Sequence, residues 1–333
     1  MLVRKNWSLR AASCFVIACV AQAALSEDTA PQSLPTTQTA PAEQTFLLKY
    51  KFQPGQSMSY EVSDRVRYLT QQAGKVFETF QRNDSSKHFS VISMDDDGSA
   101  LLEPIIDQIK MSAGRQEVDQ VGKLHDQTLI EFDSAKDTVA PPEFQRHKET
   151  LGKPMAQFQF AAHGELLSVR IIATDVPRSL TAAAAKADPK MNFLLPLPTE
   201  PISVGHRWKQ KFEEPISVGQ GLTQQIPMLR QYELMSISNG IATIKFKTSI
   251  LALLNEPKIQ GQLAQQTPSG TIEFDIERGL IRSKKSITNE TVVNALGQQT
   301  ILQVIGESTE KLVQGGAAIQ QTGFAKEADS SNE

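Results

Sequence analysis

The stretch Phe89-Ser-Val-Ile-Ser-Met-Asp-Asp-Asp-Gly-Ser-Ala-Leu-Leu-Glu103 decides the fold of this chain. Apolar residues lead into a tight acidic turn and resume on its other side, a pattern that is typical of a β-hairpin. A second version of the pattern begins at Tyr232 and ends at Lys245. The two versions match at an offset of 143 residues up to the turn and 142 after it, because the second turn is one residue shorter. The pair therefore suggests an internal repeat.

Two further correspondences follow the same order along the chain. Pro54-Gly55, before the first predicted hairpin strand, matches Val204-Gly205, and the segment 158–167 matches 272–281. Any one match is weak, since β-hairpins resemble one another. The ordered set favours duplication over a chance likeness between hairpins.

The pattern predicts a mainly β fold, with antiparallel sheets of long hairpins in two related halves. The antiparallel arrangement follows from connections of hairpin length, which parallel strands cannot use. The halves are expected at residues 46–175 and 202–313, joined by a helix and a Pro-rich connector over 176–201. One or two short helices are predicted, near 142–151 and 177–187. The alternating segment Phe46–Phe52 is predicted as the first strand.

Residues 1–26 have the features of a secretory signal peptide. A basic start precedes an apolar run from Ala11 to Ala21, and Ala21-Gln-Ala23 is a cleavage signal of the A-x-A type. The run is too short to span a bilayer comfortably, so no transmembrane span is expected after its removal. We expect a Pro/Thr/Gln-rich tether over 27–45 and a disordered tail over 314–333.

Cys19 offers an alternative to ordinary cleavage near Ala23. Val16-Ile-Ala-Cys19 fits the pattern that precedes a lipidated cysteine in bacterial lipoproteins, although the apolar run before it is short. Either way the protein is expected to be exported, to the periplasm or the extracellular space, with lipid anchoring as the alternative to a free form. Ordinary cleavage also removes Cys14 and Cys19, the only cysteines, which excludes disulfides and thiol chemistry.

Charge and motif content exclude several classes of function. Removing the signal peptide lowers the basic residues from 34 to 31 against 37 acidic ones, a net charge of −6. An acidic chain without a long basic run argues against nucleic acid as a partner. No zinc, phosphate-binding, dinucleotide or nucleophile-elbow motif occurs, so no cofactor, metal or catalytic residue is assigned. The five histidines are too far apart for a metal motif, and Asp95–Gly98 is interpreted as a turn rather than a calcium loop.

The chain resembles uncharacterised secreted proteins of planctomycete-type bacteria. The residues that carry the likeness are Val204–Trp208, the hairpin Tyr232–Lys245 and Gly270–Gly279. The resemblance implies a signal peptide, a low-complexity tether and a two-part β-rich body, and it brings no catalytic residues. More distantly, long hairpins with few helices are similar to the open half-barrels of periplasmic lipoprotein carriers, a fold-level analogy.

The function that these observations favour is a non-enzymatic cell-envelope protein that binds an apolar ligand or a protein partner. The alternative is a secreted hydrolase whose catalytic site is assembled from distant residues. An apolar groove suited to an acyl chain is predicted at Phe193, Leu194 and Leu195, beside the Pro-rich connector. In the competing arrangement the two halves pack their apolar faces together and leave no cavity. The sequence does not indicate an oligomeric state.

Overall fold

A computed structural model describes residues 44–118, 124–174, 178–219 and 222–316. The described strands are β1 Ser57–Gln72, β2 Lys75–Met94, β3 Ala100–Val118, β4 Leu124–Asp133, β5 Ala156–Phe160, β6 Leu166–Ile171, β7 Arg207–Gly219, β8 Leu222–Ser238, β9 Ile241–Ile250, β10 Ser269–Asp275, β11 Leu280–Val293 and β12 Thr300–Gly316. The helices are α1 Gln145–Thr150, α2 Arg178–Ala185 and α3 Pro257–Leu263, with 3-10 turns at Pro142–Phe144, Pro189–Met191 and Ala264–Gln266.

The signal peptide, Cys19, almost all of the tether and residues 317–333 lie outside the described residues, so the predictions about them stay predictions. The predicted tail began at residue 314. In the structure β12 continues through Gly316, and its last three residues pair with Ser57–Ser59 of β1. Main-chain pairing with β1 therefore extends three residues past the predicted end of the second half.

The strands form one antiparallel sheet, which confirms the mainly β prediction. Their order is β6-β5-β3-β2-β1-β12-β11-β10-β9-β8-β7, and β4 pairs with the upper part of β3. The long strands β1 and β12 pair along their lengths, from Ser57 opposite Gly316 to Gln72 opposite Thr300. The sequence left open whether the halves form one body; the β1–β12 pairing joins them into one continuous sheet.

The two halves contain the same strand pairings in the same order. In the first half Val91 lies opposite Leu102, with a bulge just beyond, and in the second Leu234 lies opposite Ile244, again with a bulge just beyond. In the next pairing, Phe160 lies opposite Ala100 in the first half, as Phe274 lies opposite Ala242 in the second. All the residues in these matched pairs are buried: Val91, Leu102, Ala100 and Phe160 in the first half, and Leu234, Ile244, Ala242 and Phe274 in the second. Each half also has a helix: α1 follows β4, the fourth strand of the first half, and α3 follows β9, the third strand of the second.

The main hydrophobic core lies at the end of the sheet where β1 and β7 begin. Its buried side chains come from both halves, from the connector and from the segment that precedes β1. Two further apolar clusters lie under α3, and a fourth lies under α1. The apolar faces of the two halves thus meet in one shared core.

The predicted first strand Phe46–Phe52 lies in this core and not in the sheet. Its alternation is real, because Leu48, Tyr50 and Phe52 are buried. Its backbone, however, bonds to turns: Tyr50 N–H donates to Ala162 and Lys51 N–H to Gly279. Alternating burial therefore came from packing between two turns rather than from strand pairing.

The turn glycines Gly164 and Gly279 make this packing possible. Both have positive φ, 82° and 65°, which glycine adopts without steric cost. A Cβ at Gly164 would overlap the carbonyl of Leu195, and one at Gly279 would overlap the backbone of Lys51. The matching turns of the two halves thus clamp the same extended segment from two sides.

Candidate functional site

The connector residue Phe193 is half-buried and packs against the main core. Its ring stacks on Phe89, with 4.7 Å between centroids, and meets the edges of Phe158 and Phe160 at 5.2 and 4.8 Å. Leu195 is 3% exposed. Three prolines keep this part of the connector extended, so its side chains point into the core without a regular element around them.

Hydrogen bonds hold the connector backbone in place. Leu195 N–H donates to the Tyr50 hydroxyl at 2.8 Å, and that hydroxyl donates back to the Leu195 carbonyl at 3.2 Å. The Trp208 indole N–H donates to the Pro196 carbonyl at 2.8 Å, and the Asn192 amide donates to Gly164 at 2.9 Å. The connector is therefore bonded to both halves of the sheet.

The space beside Phe193, Leu194 and Leu195 has a volume of about 30 Å³. Ligand pockets are typically about 300–1,000 Å³, so an acyl chain could enter here only if the connector moved. The groove predicted at these residues stays a prediction. In the structure the three side chains lie together and pack in or against the main core. Its opposite wall is polar, which the sequence did not indicate.

That polar wall contains Lys284 of β11 and Arg230 of β8. The Arg230 guanidinium lies 5.3 and 5.9 Å from the ring centroids of Phe212 and Phe246, and its Nε donates to Thr248 at 2.9 Å. Burial lowers the pKa of Lys284, an effect that the neighbouring Glu310 carboxylate opposes. Two cations thus lie at the edge of an apolar core.

A large open space lies beside α3. The strands β9 and β10 are short, so they leave a gap in the sheet between the far ends of β8 and β11, and α3 with its following 3-10 turn fills it. Ile259 and Leu263 of α3 pack on β7 and β8, against Ile216, Ile226 and Met228. Ala264, in the 3-10 turn that follows, packs on β11, β12 and the turn between them, against Val292, Ala295, Leu302 and Val304. Helix α3 therefore plugs the gap between two hairpins.

Specific contacts fix the plug at both sides. The Gln262 side chain accepts from the backbone N–H of Ser217 at 3.1 Å and donates to its carbonyl at 3.0 Å, as a neighbouring strand would. Gly261 lies against Ala295, where a Cβ would come within 2.8 Å of that methyl. The glycine lets the helix approach the β11–β12 turn closely.

A groove of about 880 Å³ runs between α3 and the β11–β12 turn. Its lining includes the apolar residues Pro257, Ala295, Leu296 and Leu302 and the polar residues Ser217, Gln262 and Asn294. A second space of about 410 Å³ lies on the other side of α3. Large apolar side chains are exposed around both, among them Leu253 at 97% and Leu296 at 61%. The arrangement suits an apolar ligand with few polar groups.

Sequence reasoning missed this groove because it missed α3. Pro257 at the first helical position is a signal for a helix start. The run Leu251-Ala-Leu-Leu254 before it is apolar without being part of a strand. An apolar run followed by Glu-Pro would have predicted a short helix here, although not the groove that it borders.

Two of the five histidines lie beside carboxylates. His88 Nδ1 lies 2.8 Å from Asp107, and His163 Nε2 lies 3.0 Å from Glu165. Ser59 lies directly opposite His88 on β1, which makes a Ser–His–Asp row across three strands. The turn Asp95–Gly98 is held by its own bonds, since Asp95 and Asp97 both accept from Ser99.

Two kinds of feature, a membrane-spanning helix and a cluster of metal ligands, are absent from the described residues. No helix in these ranges combines the length and apolar character that crossing a bilayer requires. No group of three or more His, Cys, Asp or Glu side chains in the same ranges is arranged to hold a metal ion.

Comparisons with known proteins add little. No protein-family model matches the chain, and no curated protein matches it. Among solved structures, one described as "lipid-protein interactions in lipovitellin" is similar with a TM-score of 0.45 and 12% sequence identity. The match covers 83% of this chain and 27% of that one, so this chain spans about a quarter of the lipovitellin chain. At that score the likeness carries no argument, and the resemblance to planctomycete-type secreted proteins has no support from these comparisons.

Proposed function

We propose that this protein is an exported, non-enzymatic protein of the cell envelope that binds an apolar ligand in the groove beside α3. The observation that carries the proposal is the groove itself. Its volume of about 880 Å³ lies in the range of ligand pockets, and its lining combines an apolar part with polar side chains and the charged Glu256 and Lys258. Export rests on the predicted signal peptide over 1–26, and lipidation at Cys19 stays the alternative route to the envelope.

The ligand class follows from the lining. The apolar wall of α3 and the β11–β12 turn would contact an acyl chain, and polar groups at Ser217, Gln262 and Asn294 would meet its polar end. Most apolar side chains on a soluble protein surface are scattered singly, whereas clustered ones mark interaction sites. Leu253 and Leu296 lie on either side of α3, within reach of a ligand or an envelope protein.

Native mass spectrometry of protein purified without detergent, before and after incubation with phospholipid, tests this proposal. Leu296→Asp places a carboxylate in the groove at a position that is 61% exposed, so the fold should survive. We expect it to lose bound lipid. Val139→Asp makes the same change at a site 77% exposed and far from α3 in sequence, and should keep the lipid. Apo protein only, in every sample, would overturn ligand binding at α3.

The two halves also support a duplicated origin for the sheet. Matched bulges and matched pairings are expected if one hairpin unit was copied. On this interpretation β4 is an addition to the first half and β12 closes the second. The α3 groove would then correspond to the surface beneath α1, where Phe144 is buried in its own cluster.

A hydrolase is the second candidate, favoured by the row Ser59, His88 and Asp107 across three neighbouring strands. The His88–Asp107 distance of 2.8 Å suits a base held by a carboxylate. Esterase and peptidase screens of the wild type and His88→Ala separate the two functions. Activity that disappears in His88→Ala would favour the hydrolase, whereas a binding protein shows no turnover in either form.

A further inference from the structure

Lys284 and Arg230 border the cavity of about 30 Å³ beside the connector without carboxylate partners. Among the described residues no Asp or Glu oxygen lies within 4.0 Å of either side chain's nitrogen atoms. The register places Lys284 opposite Glu310, but that carboxylate pairs with Lys87 at 2.9 Å. Two cations therefore line a small space, and the carboxylate opposite Lys284 is shared with Lys87.

The local charges do not cancel. Lys284 lies opposite Glu310 in the sheet, and Glu310 also pairs with Lys87, so two lysines share one carboxylate here. An unpaired cation inside a protein is costly, because it gives up hydration without a compensating charge. The lowered pKa of Lys284 is a consequence of the same burial.

The cavity also has the hydrogen-bonding character of an anion site. Lys284 is half-buried and lines this space. The Arg230 guanidinium is held in place by two rings and by Thr248, so it is oriented before a ligand arrives. The Gln210 and Asn192 amides complete the polar lining.

From these contacts we propose that the cavity between Lys284, Arg230 and the connector binds one compact monovalent anion, a carboxylate group or a halide. Size decides the class: a water requires roughly 10–15 Å³ of such volume, so about 30 Å³ admits an atom or a small planar group. The source is either a free ion or the head of a fatty acid whose chain displaces Phe193 and Leu194. This site is independent of the α3 groove.

Thermal unfolding of the full chain in chloride and in acetate tests the proposed anion site. Ionic strength is held constant with a sulfonate buffer anion that is too large for the cavity. We expect the unfolding midpoint of the wild type to rise with the logarithm of chloride or acetate concentration. Lys284→Met should lose most of that dependence, while Lys285→Met, an exposed neighbour on the same strand, should keep it.

A third arm uses dodecanoate to separate the two sources. If the natural ligand is a fatty acid, dodecanoate shifts the midpoint at concentrations at least roughly tenfold below acetate, since its chain adds apolar burial. If a free ion is bound, acetate and dodecanoate act alike. Equal anion dependence in the wild type and Lys284→Met would overturn the site, as would bromide-soaked crystals with only water between Lys284 and Arg230.

Discussion

The hydrogen bonds between Tyr50 and the connector make Tyr50→Phe a sharp test of how the core is held. The substitution removes one oxygen atom from a ring that is 4% exposed and changes little else. It leaves both the N–H and the carbonyl of Leu195 without their side-chain partner. Burial raises the pKa of Tyr50 well above its ordinary value, so its hydroxyl stays protonated and can donate.

The size of the effect follows from the two bonds. A buried polar group left without a partner costs about 1–3 kcal/mol. The bond to Leu195 N–H, at 2.8 Å, is the shorter of the two, and that to the carbonyl, at 3.2 Å, should contribute less. We expect a loss of about 2 kcal/mol, or roughly 3 °C in the unfolding midpoint for a chain of this size.

Urea unfolding followed by tryptophan fluorescence measures this loss. The chain has two tryptophans, and Trp7 lies in the predicted signal peptide, so Trp208 reports alone after its removal. Trp208 bonds to Pro196 and therefore reports on the same connector. Tyr60→Phe is the control, because that hydroxyl makes one bond, to the Ile281 carbonyl at 3.0 Å. Equal losses in the two variants would refute the reasoning.

Three further changes have defined outcomes. Phe193→Ala should cost about 3–5 kcal/mol in urea unfolding, since it removes a ring packed against three others; a loss below about 1 kcal/mol would show that the connector is not part of the core. Lys284→Met should stabilise the protein, because burial penalises the charged form of the lysine. The gain in stability should be full below the lowered folded pKa and should shrink as the pH rises from there towards the ordinary pKa of 10.5. A gain that does not depend on pH would contradict this. The hydrogen bond from Arg67 is the main cause of the lowered pKa of Glu78. Glu78→Gln should therefore destabilise the protein fully above the ordinary pKa of 4.5, and its effect should disappear as the pH falls through the lowered folded pKa. Melting temperatures of both forms across this pH range measure the effect.

The antiparallel β character was predictable because it is written in local patterns. The predicted hairpin Tyr232–Lys245 is formed by β8 and β9, and a short polar turn marked its tip. Helices α1 and α2 followed from proline and alanine signals. These features depend on neighbours in sequence, which a single chain displays directly.

The joining of the halves and the α3 groove were not predictable in the same way. The pairing of β1 with β12 links residues from opposite ends of the chain, and no local pattern specifies it. A groove at Phe193, Leu194 and Leu195 was predicted because the predicted helices looked too small to cover the apolar faces of the sheets. The rings that contact Phe193, those of Phe89, Phe158 and Phe160, lie on separate strands, which only the folded chain brings together.

The pairing of β1 with β12 also sets an order for how this protein can acquire its structure. Gln72 finds its partner only when Thr300 is available, so a growing chain completes the middle of its sheet last. Contacts between residues so distant in sequence slow folding, because a large loop must close before they form. Until then the facing edges of β1 and β11 expose unpaired backbone groups, which are sites for aggregation. A chain that crosses a membrane during synthesis would expose these strand edges on the far side before β12 is made. A factor that keeps the chain unfolded until residues 300–316 emerge would then reduce aggregation.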